Sequence, residues 1–303
     1  MKLRNNLSVI GTIAGINLVE NEDANGNLRI YGSLSINTAK EGEVDNLIRL
    51  SFYATKFKKQ YQAGEEKKPL RTYTALKSML DNPEGNIGRK INISGSVSEN
   101  IFESNGNLVE TVQYRGAFIN DVRPNDKFKA IISADALIEK EPIEMEDRDG
   151  ELVKEDGKVK YRSQVTLFND FSKIAIPMSV VMLEDAAEWV ESVADQKEIY
   201  PVQIQLVNAE IKNKREIENA FGGEALVVEE TTSVNERKLI WAAPEPVDME
   251  DKDFVAEAKK NYELKLSSMK NAEAVKAEQA KKVMEAPVTE EKSTDASSMD
   301  FEW

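Results

Sequence analysis

Two stretches of alternating residues carry the side chains best suited to chemistry. Arg29, Tyr31, Ser33 and Ser35 interleave with Leu28, Ile30, Leu34 and Ile36. Arg49, Ser51, Tyr53 and Thr55 interleave with Ile48, Leu50, Phe52 and Ala54. Successive side chains of a strand point to opposite faces. If the aliphatic sets face a core, Arg29, Tyr31, Arg49 and Tyr53 share the other face. A guanidinium forks onto phosphate oxygens, and a phenol ring offers a flat surface for another ring. This chemistry is binding rather than bond breaking.

More of the same types follow in the chain. Lys56, Phe57, Lys58 and Lys59 are consecutive, and Tyr61, Lys67, Lys68 and Arg71 come after them. Cations interleaved with aromatics suit a rim that tracks a polyanionic backbone. Lys90, Phe102, Tyr114 and Arg115 lie further on. Either Tyr114 or Arg115 faces outward with the others, Arg115 being favoured. The same residues also have plain structural readings: tyrosines half-bury in barrel walls, lysine-rich loops are solvated, and Phe57 and Phe102 can seal barrel ends.

Catalysis finds little support. The 303 residues include no cysteine and no histidine. That removes thiolate chemistry, imidazole-ligated metals and the commonest general base at neutral pH. No glycine-rich phosphate loop precedes a helix. The acids at Glu144, Glu146, Asp147, Asp149 and Glu151 lack the order of an EF-hand loop. The expectation is a non-enzyme without cofactor or metal. No apolar run approaches the ~20 residues that span a bilayer, and the first residues lack a signal-peptide core. A cytoplasmic location without membrane contact is expected.

The net charge is −14 but unevenly placed. Residues 1–124 hold 16 bases and 14 acids, residues 125–247 hold 15 and 26, and residues 248–303 hold 9 and 14. A polyanion would meet the first segment and be repelled by the others.

The elements that must position these groups are mostly strands. β-rich runs occupy 7–19, 27–38 and 46–55, with a turn signal at Asn25-Gly26. A short helix spans 71–81 and stops at Pro83 and Gly85. Strands follow at 89–103 and 108–120, turning at Ser104-Asn105-Gly106-Asn107. Three strands, a helix and two strands is the order of the OB-fold, a small Greek-key barrel whose second and third strands bind oligonucleotides. The second segment repeats the order: a long strand 127–146, an acidic loop, strands 158–168 and 171–183, a helix 184–195, then strands 200–211 and 225–241. The chain is therefore expected to be mainly β, with two OB-like barrels in tandem. The domains are 1–124, the binding barrel; 125–247, the acidic barrel; 248–285, a charged helix; and 286–303, a tail.

In the helix, Phe254, Ala258, Tyr262, Leu266 and Met269 make one stripe at a 3.6-residue period. It either docks on a barrel or self-associates. From Glu285 onward there are six acids against Lys292 alone. Such a segment has too little apolar surface to offset its ordering entropy, so it is expected to be disordered. Its Met299, Asp300, Phe301, Glu302 and Trp303 read as a peptide hook for a partner protein.

"NLIRLSFYATKFKK" and "GRKINISGSVSENIFESNGNLVETVQYRGAFINDV" resemble the third strand, fourth strand, hairpin and fifth strand of the single-stranded DNA-binding (SSB) family of bacteria and their phages. In that family an acidic tail with a hydrophobic tip recruits replication and repair proteins, and the tip here is similar in logic, though it ends in Glu-Trp rather than Pro-Phe. The resemblance implies single-stranded DNA binding in replication, recombination or repair. Arg29, Arg49, Lys56, Lys58, Lys59, Lys90 and Arg115 would meet the backbone, and Tyr31, Tyr53 and Phe57 would stack bases. Replication or recombination proteins would meet the tail, and the chain would be a possible homo-oligomer. Two barrels in one chain suit a viral variant. The alternative is a non-catalytic, β-rich scaffold or virion-assembly protein, which the charge of −14 favours.

Overall fold

The computed structural model describes residues 2–23, 26–58, 68–104, 107–217, 226–249, 251 and 253–285. The first half contains β1 (Asn5–Glu22), β2 (Leu28–Asn37), β3 (Leu47–Thr55), α1 (Arg71–Asp81), α2 (Pro83–Asn86), β4 (Lys90–Ser104) and β5 (Asn107–Asn120). β1 pairs with β2, β2 with β3, β3 with β5, β5 with β4, and β4 with β1. That ring is the five-stranded OB barrel, with α1 in the expected place between the third and fourth strands.

The second half runs β6 (Lys129–Ile138), β7 (Ile143–Glu144), β8 (Lys154–Glu155), β9 (Lys158–Asn169), β10 (Ile174–Leu183), α3 (Glu184–Ala194), β11 (Ile199–Ile217) and β12 (Leu226–Ala242). Its ring is β6, β9, β10, β12, β11 and back to β6. The connectivity of the first half is repeated strand for strand. The chain is mainly β, as expected.

The halves are joined through their first strands. Asn5–Ile10 of β1 pair antiparallel with Lys129–Ala134 of β6, so one 12-stranded sheet runs through both. Leu7 faces Ile132, and Ile132 faces Ile204. All three are buried in one continuous core. Residue 124 lies in the connection from β5 to β6. Residues 1–262 belong to one compact unit, and residues 263–285 belong to a second.

The period-2 pattern decides which faces are buried. Ile30, Leu34, Ile36 and Leu50 have no exposure, and Ile48 and Phe52 almost none. Gly32 interrupts this set for a steric reason. Its φ is 139°, and a Cβ there would lie 2.1 Å from the Asn17 carbonyl oxygen of β1. Gly32→Ala is therefore expected to cost at least about 2 kcal/mol, read as a lower midpoint in urea unfolding.

α1 closes one end of the first barrel by burying Tyr73, Leu76 and Met79. Tyr73 donates its hydroxyl to Glu20 of β1, and Lys77 Nζ lies 2.9 Å from the same carboxylate. These contacts, Tyr73 first, hold the Glu20 carboxyl below its ordinary range.

Three local details differ from the sequence reading. The helix expected to stop at Pro83 is followed by the extra turn α2, with Pro83 at its start, where a missing N–H costs nothing. The strand expected over 127–146 ends at Ile138, and only Ile143–Glu144 resume it. Pro142 intervenes and cannot donate to a ladder. The terminal helix begins at Phe254 rather than 248. Within the first unit, Phe254 and Ala258 are buried with Leu3, Leu137, Phe168 and Ile199. The Phe254 ring meets Phe168 edge-on at 5.7 Å. Its first turns therefore dock on the barrels. In the second unit, residues 263–285 are the rest of α4 (Phe254–Glu285). No helix among the described residues is long and apolar enough to cross a membrane.

Candidate nucleic-acid interface

Tyr31 and Tyr53 are direct cross-strand neighbours on β2 and β3. Both face solvent, at 41% and 63% exposure. The next pairs along the ladder are Arg29 with Thr55, Ser33 with Ser51, and Ser35 with Arg49. The barrel closes where Ser51 bridges Arg115 of β5, so Arg115 joins the same face. It is exposed there, whereas Tyr114 points to the core side and receives a hydrogen bond from Arg237. Arg115 is thus the outward residue of that pair.

The three arginines are oriented by neutral groups. Arg29 donates from Nε to Asn21 at 2.7 Å, Arg49 to Ser33 at 3.1 Å, and Arg115 to Gln113 at 3.1 Å. Gln113 in turn donates to Ser51 at 2.9 Å. Among the described residues no ion pair engages these guanidiniums. Held by one edge and not neutralised, each keeps charge and donors for an incoming anion. Ser33, expected outward, is buried because the Arg49 side chain reaches over to it.

The other expected site residues divide. Lys56 lies 5.5 Å from the Phe57 ring, and both are half-buried beyond the end of β3. Lys58 is exposed just after them. Lys90 lies at the start of β4, donates to the Asp126 carbonyl at 2.8 Å and sits over Phe128 at 4.6 Å. It is engaged away from the tyrosine pair. Lys59, the other loop residues Tyr61 and Lys67, and the five residues 299–303 lie outside the described residues.

The second barrel supplies an internal control. Its parallel closure, Val181 with Lys238, corresponds to Ser51 with Arg115. Counting from it, Leu183 paired with Lys160 stands where Tyr53 pairs with Tyr31. These cations are neutralised. Lys160 Nζ lies 2.7 Å from Glu236 and 3.1 Å from Glu155, and Lys238 Nζ lies 2.5 Å from Glu155. Burial alone would push the Lys160 ammonium down, but Glu236 and Glu155 hold it above its ordinary value. The short β7–β8 arm delivers Glu155. One fold therefore presents open cations and rings in its first copy and a closed ion-pair network in its second.

Three features escaped the sequence reading. Phe118 is 62% exposed on β5, beyond a bulge opposite Ser94 and Gly95. An alternating reading of 108–120 misplaces it, because the bulge shifts the parity. Asn208 of β11 donates to the Leu47 carbonyl, and Asn46 donates back to Leu206. These bonds tie β3 to the second half. Arg237 shares with Arg49 a groove of about 380 Å³ between the halves. Only the fold brings those two together. No cluster of three or more metal-ligating side chains occurs among the described residues.

Residues 3–272 match the family model described as YorF. No curated protein matches the chain in sequence. Among solved structures, the wild-type single-stranded DNA binding protein from Thermus aquaticus is similar at 12% identity. That match covers 84% of this chain and 98% of the other, with a TM-score of 0.46. A deletion mutant of the same protein gives 13% identity, 83% and 98% coverage, and a TM-score of 0.44.

Proposed function

The chain belongs to the YorF family, and we propose that it binds single-stranded DNA on the outer face of its first barrel. One observation carries the proposal. Tyr31 and Tyr53 form an exposed ring pair flanked by Arg29, Arg49 and Arg115, each held by a neutral partner. Phosphates meet the guanidiniums and bases lie on the rings. Lys56, Phe57 and Lys58 extend the rim where β3 ends. The residues recognise backbone and π-face, so binding is tolerant of base sequence. Exposed rings need unstacked bases, so duplex DNA binds more weakly.

The test is a fluorescence anisotropy titration with labelled oligo(dT) and a matched duplex. Equal affinity for both would contradict ring stacking. For each phosphate neutralised, log affinity should fall by about 0.7 per unit of log salt. Arg49→Ala is expected to reduce that slope by about 0.7. An unchanged slope in the variant would remove Arg49 from the phosphate path.

The biological setting we propose is replication, recombination or repair, in a phage or its host. The acidic segment 286–303 serves as a hook for a partner protein, a reading supported by its composition alone. Deleting Met299–Trp303 should leave oligonucleotide affinity unchanged or higher and abolish capture of that partner. Two barrels acting as a binding half and an assembly half fit the contrast between their corresponding faces. A second reading, a β-rich scaffold without nucleic-acid activity, draws on the excess of acids in residues 125–247. The Arg29→Ala/Arg49→Ala double variant separates the two. An intact fold with unchanged biological activity would favour the scaffold.

A further inference from the structure

Phe171 is the most exposed of the large apolar side chains described, at 96%. It lies in the turn from β9 to β10, where burial would ordinarily claim a phenylalanine or selection for solubility would remove it. The turn is rigid. The Asn169 side chain accepts from the backbone N–H of Phe171 at 3.1 Å and of Ser172 at 3.2 Å. Lys173 adopts a left-handed φ of 48°. Its Nζ is held 2.8 Å from Glu257, and its carbonyl accepts from Asn261 at 2.9 Å. Phe168, at the base of the hairpin, is fully buried. The fold thus spends several local contacts on presenting one ring to water.

The surroundings say what that ring meets. Phe171 lines a cleft of about 450 Å³ with Lys2, Arg4, Asn6, Ser96 and Asp170. Ser96 is the direct partner of Arg115 on β4 and β5, and Arg115 bridges Ser51, which pairs with Ser33. A polar rung therefore leads from the tyrosine face across β3, β5 and β4 to this cleft. Lys2 and the polar Asn6 and Ser96 accompany the ring against the acid Asp170, while Arg4 is closed by Asp135, to which its guanidinium donates at 2.6 and 3.0 Å.

We propose that Phe171 is a second base-stacking platform, placed by the second barrel at the far end of the DNA path. Resting on the first-barrel reading above, the inference adds that a strand long enough to leave the tyrosine face crosses Arg115 and Ser96. It then lays a base on Phe171 with its phosphates beside Lys2. The acidic half of the chain thereby takes part in binding through its turn, although its own barrel face is closed by ion pairs.

The experiment compares the full-length parent, Phe171→Ala and Phe171→Trp with two oligo(dT) probes. One is about 8 nucleotides, within the span of a single OB barrel, and the other about four times longer. Phe171→Ala is expected to weaken the longer probe roughly tenfold, the loss of one stacked base, and to leave the short probe unchanged. Phe171→Trp should restore the longer probe. Because the side chain touches little of the fold, neither variant should change the melting temperature. Parental affinity of Phe171→Ala for the longer probe would overturn the proposal, and so would equal weakening on both probes. If the parent binds neither probe, the first-barrel reading fails as well. If Tyr31→Ala/Tyr53→Ala abolishes short-probe binding while Phe171→Ala is silent on both, only the platform fails.

Discussion

Replacing Tyr31 and Tyr53 together with alanine is expected to weaken oligo(dT) binding about a hundredfold and to leave the fold intact. A stacked base contributes about 1–3 kcal/mol, and a hundredfold corresponds to ~2.7 kcal/mol, so two rings account for it without any other contact. The fold should survive because the rings are directly opposed and exposed. A cross-strand pair of this kind stabilises a sheet by only about 0.2–1 kcal/mol. The binding loss should persist at high salt, since stacking releases no counterions. The loss caused by Arg49→Ala should fade there, as phosphate contacts do. Anisotropy at two salt concentrations separates the two terms. A double tyrosine variant that binds like the parent, with an unchanged melting curve, would end the stacking account.

The second large effect lies in the other barrel and concerns stability. Lys160→Met is expected to cost about 3–5 kcal/mol, because it leaves Glu155 and Glu236 sharing Lys238 in a largely buried site. Removing one partner of a buried network strands the remaining charge. Replacing Glu236 by Gln in the same protein should recover part of the loss, since fewer carboxylates then compete for Lys238. Thermal unfolding of the two variants reads both effects.

The network also sets a pH dependence. Burial alone would raise the Glu155 carboxyl, but hydrogen bonds from Lys238 and Lys160 outweigh it and hold the group below its unfolded value of 4.5. A depressed carboxyl contributes stability that is fully present above 4.5 and is lost as the pH falls through the folded value. Lys160 is raised above 10.5, so its share is present below that pH and is lost as the pH climbs through the higher folded value. Melting temperature against pH should therefore fall on the acid side of 4.5. It should fall less steeply there in Lys160→Met, where Glu155 has lost one of the groups that depress it. An identical acid limb in both proteins would show that Glu155 is not held by Lys160.

The alternation of apolar and polar residues is a local property. Ile30, Leu34, Ile36, Leu50 and Phe52 therefore declared their faces in the sequence, and with them the outward positions of Arg29, Tyr31, Arg49 and Tyr53. Strand order and the helix between third and fourth strands were legible for the same reason, since hydrophobic period, Gly and Pro act within a few residues. Gly32 escaped notice, because its cause is the Asn17 carbonyl of another strand. Phe171 read only as the start of a strand, because a side chain's exposure depends on how the hairpin around it is capped and packed.

What each charge meets was decided only by the tertiary structure. Lys160 and Arg49 look alike in sequence, each a cation in an alternating strand. One is closed by Glu236, 76 positions away, and the other is held open by Ser33 across a neighbouring strand. Coulomb and hydrogen-bond energies depend on distances of a few ångströms, and those are set by strand pairings between remote parts of the chain. The residues alone set out a candidate cationic, ring-bearing face. Folding determined that it stays open in one barrel and is sealed in the other.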